Sequence, residues 1–234
     1  MKEGFERSSY EHTLFIKRGK NTILIVSLYV DDLIFTGNDL TMMQGFKSSM
    51  KKEFEMTDLG EMRYFLGIEV CQNAEGVHIS QKKYAEKILQ KFGLEACNGV
   101  KNPIVPGSMV LSTEEEGNQA DGTLFKQMVG SLMYMTVTRP DLMYSVCLMS
   151  RFMSNPKDVH MAAAKRILRY IKATTNLGIF YKRRCKDELV GYTDSDYARD
   201  VGDRRSTSGY VFVQSGGAVA WASKKQPVVT LSTT

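Results

Sequence analysis

The run Thr22–Tyr29 carries apolar side chains on both alternating faces, Leu24, Val26 and Leu28 against Ile23, Ile25 and Tyr29. That pattern predicts a central strand covered on both sides. Two adjacent acids, Asp31 and Asp32, come next, and Leu33–Thr36 then reads as the hairpin partner. Asp39 stands where it can cap a helix whose apolar residues Met43, Phe46, Met50 and Phe54 recur at spacings of three and four, with Lys47, Lys51 and Lys52 facing away.

Further along, Tyr64–Gln72 and Val77–Ile79 flank Asn73-Ala74-Glu75-Gly76, a hairpin signal, and Ser80 is placed to cap a helix with Ala85, Ile88, Leu89 and Phe92 inward. Between Asn98 and Gly122 the chain turns to Pro, Gly, Ser and acids, including Glu114-Glu115-Glu116, which marks a linker. Leu124–Met153 is Met- and Leu-rich and predicts helix, broken at Thr138-Arg139-Pro140-Asp141, where Thr138 or Asp141 could cap the second half of the helical stretch. Asn155-Pro156 has the form of an N-cap and first helical position for the next helix. Three strands close the chain: Leu189–Thr193, Tyr210–Gln214 and Ala218–Ala222, the last two joined at Ser215-Gly216-Gly217.

With 234 residues, 43% hydrophobic and 24% charged, the chain can bury a substantial core as one large domain or two small ones. Its formal charge of +5 only hints at polyanion partners. Cysteines 71, 97, 147 and 185 and histidines 12, 78 and 160 are too scattered for a zinc pattern or a dense disulfide framework, so free thiols in a reducing compartment are expected. No signal-peptide core or membrane-length apolar run is visible, and a soluble, unsecreted protein is expected. The 14 methionines, among them Met43, Met50, Met133, Met143, Met149 and Met153, are spaced for helix packing. "SGGAVAWAS" reads as a hairpin turn, because no helix with a Lys comes after it as a phosphate loop requires.

Chemistry enters with the paired acids. Strand neighbours point to opposite faces, so Asp31 and Asp32 serve one site only if a tight turn re-aims them. Two close carboxylates disfavour each other's ionised form, and a divalent cation preferring oxygen ligands resolves the conflict. Taken alone, an Asp-Asp pair is more often a solvated turn than a metal site. A second candidate is the segment from Lys165 to Lys186, with eight basic residues and no acid. On a helix Lys165, Arg169 and Lys172 make one stripe, with Arg166 beside it and Val159, Ala163, Ile167 and Ile171 on the opposite side. The stripe suits either a solvated face or a phosphate backbone, with Tyr170 and Tyr181 available for stacking or packing.

The string "YVDDLIFTGND" resembles the reverse transcriptase palm signature Tyr-X-Asp-Asp in its copia-type retrotransposon form. "GFERSSYEHTLFIK" looks like the segment preceding that hairpin, with Glu11 where Asp is usual, and "DLGEMRYFLGIEV" is similar to the primer grip. "KKYAEKILQKFGL", "NPIVPG" and the stretch from "GSLMYMTVTRPDL" to "NLGIFY" continue as in the family, with Met161 in place of a typical Trp and Ala173 of a Gly. The last segment, from "GYTDSDYA" to "LSTT", looks like the start of a copia-type ribonuclease H domain.

The resemblance implies an α+β fold: a partial reverse transcriptase palm with primer grip over residues 1–97, a linker over 98–123, a helical thumb and connection over 124–186, and the first three strands of a ribonuclease H-like sheet over 187–234. It makes Asp31 and Asp32 catalytic metal ligands, lays Tyr29, Val30, Leu66 and Gly67 against the primer, and makes Asp194 the first ribonuclease H metal ligand. Lys165, Arg166, Arg169 and Lys172 become nucleic-acid contacts. The implied cofactor is magnesium, with manganese as a substitute. The implied partners are an RNA/DNA template-primer duplex, deoxynucleotides and the remainder of Pol, without a membrane, in the cytoplasm or in virus-like particles. In the family a third palm carboxylate lies upstream and a Glu comes directly after Leu-Ser-Thr-Thr, so both sites are expected to be incomplete and the chain inactive alone. The competing expectation is a non-catalytic nucleic-acid-binding module or a decayed remnant.

Overall fold

The apolar run forms strand β3 (Ile23–Tyr29), third in a four-stranded antiparallel sheet whose other members are β1 (Glu6–Arg7), β2 (Leu14–Arg18) and β4 (Asp32–Gly37), in the order β1-β2-β3-β4. With helix α1 (Leu40–Glu53) these strands make up the first of two compact units, Met1–Met62, the second being Arg63–Thr234. The computed structural model describes residues 4–105, 117–184, 188–196, 200 and 202–229.

Alternation along β3 buries Leu24 and Val26 beside Phe46 of α1, and the rings of Phe5 and Phe35 stand edge-on to Phe46 at 5.7 and 5.3 Å. On the opposite face Ile23 and Ile25 are only partly buried, so the two-sided cover predicted from the apolar run is incomplete here: α1 packs on the face of Leu24 and Val26. Asp39 caps α1 as expected, its carboxylate accepting from the Met42 amide at 2.6 Å. Phe54 leaves the predicted stripe because the backbone turns extended there, and the ring is 59% exposed.

The second unit opens with β5 (Tyr64–Phe65), β6 (Ile68–Gln72) and β7 (Gly76–Ser80), which form an antiparallel sheet with the later strand β8 (Gly178–Lys182) in the order β5-β6-β7-β8. The β6–β7 hairpin turns at Asn73, whose side-chain oxygen accepts from the amides of Glu75 and Gly76, both at 2.9 Å. Helices α2 (Lys82–Lys91), α3 (Gly122–Met135), α4 (Met143–Ser150) and α5 (Asp158–Ala173) lie between β7 and β8, with a 3-10 turn at Pro140–Leu142. The chain closes with a sheet in the order β11-β10-β9, from β9 (Val190–Ser195), β10 (Thr207–Gln214) and β11 (Gly217–Lys225). Ser215 and Gly216, both at positive φ, turn β10 into β11 in the manner of a type I′ hairpin. The glycine-rich stretch is therefore a turn, as expected.

Three helix starts differ from expectation. Ser80 is paired with Gly178 as the last residue of β7, and the amide it would have capped is taken by Glu69: the Lys83 N–H donates to Glu69 Oε1 at 2.7 Å. Helix α5 begins at Asp158 rather than Pro156, because the Lys157 amide donates to Nδ1 of His160 at 3.0 Å while the Pro156 carbonyl accepts from Ala120. Neither Thr138 nor Asp141 caps α4: the Thr138 hydroxyl donates to Gln81 Oε1 at 2.9 Å, and Asp141 pairs with Arg139.

Phe125, Val129 and Leu132 of α3, Ala164, Leu168 and Ile171 of α5, and Met149 of α4 lose all exposure in one helical core that also takes Ala85, Ile88 and Leu89 of α2. Met133 departs from its expected packing role and is 50% exposed. The buried stripe of α5 runs through His160, Ala164, Ile167 and Ile171, so Val159 and Ala163 fall at its edge; His160 takes the inner position by stacking on Phe152, ring centroids 3.8 Å apart.

Arg139 is buried within this unit. Its guanidinium donates to both carboxylate oxygens of Asp141 at 2.9 and 2.8 Å and to the carbonyl and hydroxyl of Thr174, each at 2.9 Å, which ties the 3-10 turn to the end of α5. Tyr170 lies against the guanidinium, 5.5 Å from ring centroid, and donates its hydroxyl to Asp141 at 2.9 Å. Burial pushes the Asp141 carboxyl up, yet Arg139 and the Tyr170 hydroxyl outweigh it and hold it below its ordinary value. Cys71, Cys97 and Cys147 are free thiols as expected, and Cys185 lies outside the described residues. Among the described residues no helix is long and apolar enough to cross a membrane.

Candidate active site

Tyr29 and Asp32 face each other in the β3–β4 register, so the connection is the two-residue turn Val30-Asp31. Val30 sits at φ +53° with its side chain 87% exposed. Positive φ at the first central position is the type II′ pattern, where glycine is preferred. A β-branched residue held there costs about 1–2 kcal/mol. The turn puts Asp31 at the tip and Asp32 on the first residue of β4, at one end of the hairpin. Both carboxylates are exposed. Hard oxygen donors in this number suit magnesium, which keeps several waters and takes one or two protein carboxylates alongside substrate phosphates. Among the described residues no cluster of three or more His, Cys, Asp or Glu could by itself enclose a metal.

The other candidates lie in the second unit. Leu66 and Gly67 form a two-residue turn between Phe65 and Ile68, both at positive φ, 48° and 81°. Asp194 sits exposed on β9 opposite Gly209, with its own carboxylate turned onto the Ser195 amide at 2.8 Å. Asp196 is occupied in joining strands: its carboxylate accepts from the Thr207 amide at 2.9 Å.

On α5, Lys165 and Lys172 are exposed, whereas Arg166 donates to the Asn102 side chain and Arg169 donates to the Asn98 carbonyl at 2.9 Å. The amide of Val100 in turn donates to the Arg169 carbonyl at 3.3 Å. The stripe thus divides into two cations open to solvent and two that fasten residues 98–102 to the helix. The middle of the 98–123 segment and Lys186 lie outside the described residues. Tyr170 and Tyr181 are packing groups, the first beside Arg139 and the second donating its hydroxyl to the Ala218 carbonyl at 2.7 Å.

An ionic network went unread in the sequence. Lys225 reaches Asp200 at 2.5 Å and Asp203 at 2.8 Å, with Arg151 at 3.7 Å from Asp200 and Arg205 at 3.5 Å from Asp203. Partial burial pushes the Lys225 ammonium down, but the two carboxylates outweigh it and raise its affinity for protons. The partners lie up to 74 residues apart, from Arg151 to Lys225, and no local spacing announces them.

The family described as reverse transcriptase (RNA-dependent DNA polymerase) matches residues 1–106. The chain is 37% identical over 231 residues to the retrovirus-related Pol polyprotein from transposon RE1 of Arabidopsis thaliana, covering 99% of this chain and 16% of that protein. It is 38% identical over 232 residues to the corresponding polyprotein from transposon TNT 1-94 of Nicotiana tabacum, covering 94% of this chain and 17% of that one. An uncharacterized mitochondrial protein of Arabidopsis thaliana is 35% identical over 208 residues, covering 88% of this chain and 85% of its own length. No solved structure matches. These likenesses define a reverse transcriptase-like chain. It belongs to the reverse transcriptase family of copia-type transposon Pol polyproteins, and it spans about one-sixth of the length of the two transposon polyproteins.

Proposed function

We propose that this chain serves RNA-directed DNA synthesis as part of a copia-type Pol polyprotein, with a palm and primer grip over residues 1–97, a thumb and connection over 124–186, and the opening strands of a ribonuclease H domain over 187–234. The observation that supports this reading is the strained turn that sets Asp31 and Asp32 at one hairpin end, inside the segment that matches the reverse transcriptase family. Asp31 and Asp32 would hold magnesium, or manganese in its place. Once bound, the cation neutralises phosphate charge and favours nucleotidyl transfer to a primer hydroxyl. Tyr29 and Val30 lie along the primer end and the Leu66-Gly67 turn grips the primer strand. Lys165 and Lys172 meet phosphates without reading sequence, and Arg166 and Arg169 hold the helix surface behind them.

The partners in this reading are an RNA/DNA template-primer duplex, deoxynucleotides and the remainder of Pol. Asp194 would contribute one ligand to a ribonuclease H metal centre. Among the described residues neither the exposed Asp31 and Asp32 carboxylates nor Asp194 belongs to a group of three or more possible ligands, so magnesium would be weakly held and the 234 residues alone are expected to turn over neither reaction. The test is primer extension on an RNA template by a Pol polypeptide containing this chain. Asp31→Asn should lower kcat by roughly 10³–10⁴-fold with little change in duplex affinity, by analogy with dissected catalytic sets. Extension within about tenfold of the parent would overturn the assignment.

A further inference from the structure

We infer that Tyr134 is a positioning residue for the Leu66-Gly67 turn, transmitting the rigidity of the helical core to the one exposed backbone segment proposed above to grip a primer strand. The inference rests on that reading and deepens it.

Strand β5 is only two residues long and meets β6 through Tyr64–Glu69 and Phe65–Ile68, so the ladder holds the turn weakly. Leu66 moreover occupies the left-handed region that a Cβ disfavours. The Tyr134 hydroxyl, carried on α3, donates to the Leu66 carbonyl. A Cβ at Gly67 would stand 2.9 Å from the same hydroxyl, so the turn backbone rests directly on the phenol and residue 67 has no room for a side chain.

Tyr134 is itself fixed. Its ring meets Tyr84 of α2 edge-on, centroids 4.9 Å apart at 83°, and the Tyr84 hydroxyl donates to the Ser131 carbonyl at 3.3 Å. The helices that carry these rings anchor through Ala85, Leu132 and Met135, all buried. A continuous path therefore runs from the core through Tyr84 and Tyr134 to the Leu66 carbonyl. It leaves the Leu66 side chain 42% exposed, and Tyr64 56% exposed with the Lys83 ammonium 5.5 Å from its ring centroid. A primer end must be placed to a fraction of an ångström for in-line attack, and exposed loop backbone achieves this only when a second layer of groups supports it.

Tyr134→Phe keeps the ring and its contact with Tyr84 and deletes the hydroxyl. In the 234-residue chain, amide hydrogen exchange at Gly67 and Ile68 should quicken about five- to tenfold, the scale of one hydrogen bond's net worth, with helix protection unchanged. A second readout uses an RNA/DNA hybrid with 2-aminopurine at the primer 3′ end. The variant should keep duplex affinity within about twofold, since phosphate contacts carry it, yet lose at least roughly half of the 2-aminopurine response. Gly67→Ala, which drives a methyl against the hydroxyl, should loosen the same amides, and its effect should shrink when combined with Tyr134→Phe. Unchanged exchange at the turn, or faster exchange with an unchanged 2-aminopurine response, overturns the inference alone. A parent chain that gives no response overturns the primer-grip reading and this inference with it.

Discussion

Leu24, Val26 and Phe46 form the buried cluster in the unit that carries Asp31 and Asp32, whereas the Leu66-Gly67 turn belongs to a unit whose helices bury Phe125, Val129, Leu132, Ala164, Leu168 and Ile171 completely. One turn is a strained, charged tip on a thinly packed sheet. The other is a backbone platform fastened to a dense core. In the proposed reading the acidic tip works by lying open to a cation and substrate phosphates, while the Leu66-Gly67 turn works by staying fixed. Local opening free energies should accordingly differ between the two units, the sheet unit being the lower.

The largest effect expected from breaking this contrast lies in the helical unit. Arg139→Ala would strand Asp141 and the Thr174 carbonyl, costing about 3–5 kcal/mol in urea unfolding monitored by helix signal. The same pair predicts a pH dependence. Because the Asp141 carboxyl is held below its ordinary 3.8, its contribution is complete above about pH 4 and is lost as pH falls through the depressed value. Asp141→Asn should flatten the acid limb of the stability profile.

Next in size, Phe46→Ala removes the ring on which Phe5 and Phe35 both close, at about 3 kcal/mol or more. Hydrogen exchange should then show β1–β4 unprotected while α3 and α5 keep their protection. Loss of protection in both units together would contradict the contrast between their separately packed clusters. The smallest effect is at the tip. Val30→Gly relieves positive φ but adds chain entropy on unfolding, so the sheet unit should gain about 0.5–1 kcal/mol, read as a small rise in its unfolding midpoint.

Local signals were readable where neighbours in sequence decide the outcome. Asp39 caps α1, Asn73 folds its hairpin, and Pro140 breaks the Met-rich helical stretch, all through contacts within a few residues. Reading failed where distant groups compete. Ser80 lost its cap role to Glu69, which arrives from another strand, and the predicted Asn155-Pro156 start yielded to the His160 imidazole. His160 also hid the inner face of α5, since a polar letter in a buried row shifts the apparent stripe by one position. The acidic turn was legible as a motif, and its tightness is set by the register. The Tyr134 anchor lies 68 residues from Leu66 and has no local signature. Arg166 and Arg169 read as surface cations, but Asn102 and Asn98 of the Pro-rich segment fold back onto them.

In the proposed function Asp31 and Asp32 jointly receive a divalent cation with nucleotide phosphates. The direct measurement is paramagnetic broadening by Mn²⁺ in the amide NMR spectrum of this chain, with and without a deoxynucleoside triphosphate. Broadening should concentrate at residues 29–33, strengthen when the nucleotide is added, and disappear in the Asp31→Asn/Asp32→Asn variant. Sharp signals at that tip, with broadening centred instead on the Asp200 and Asp203 carboxylates, would contradict it.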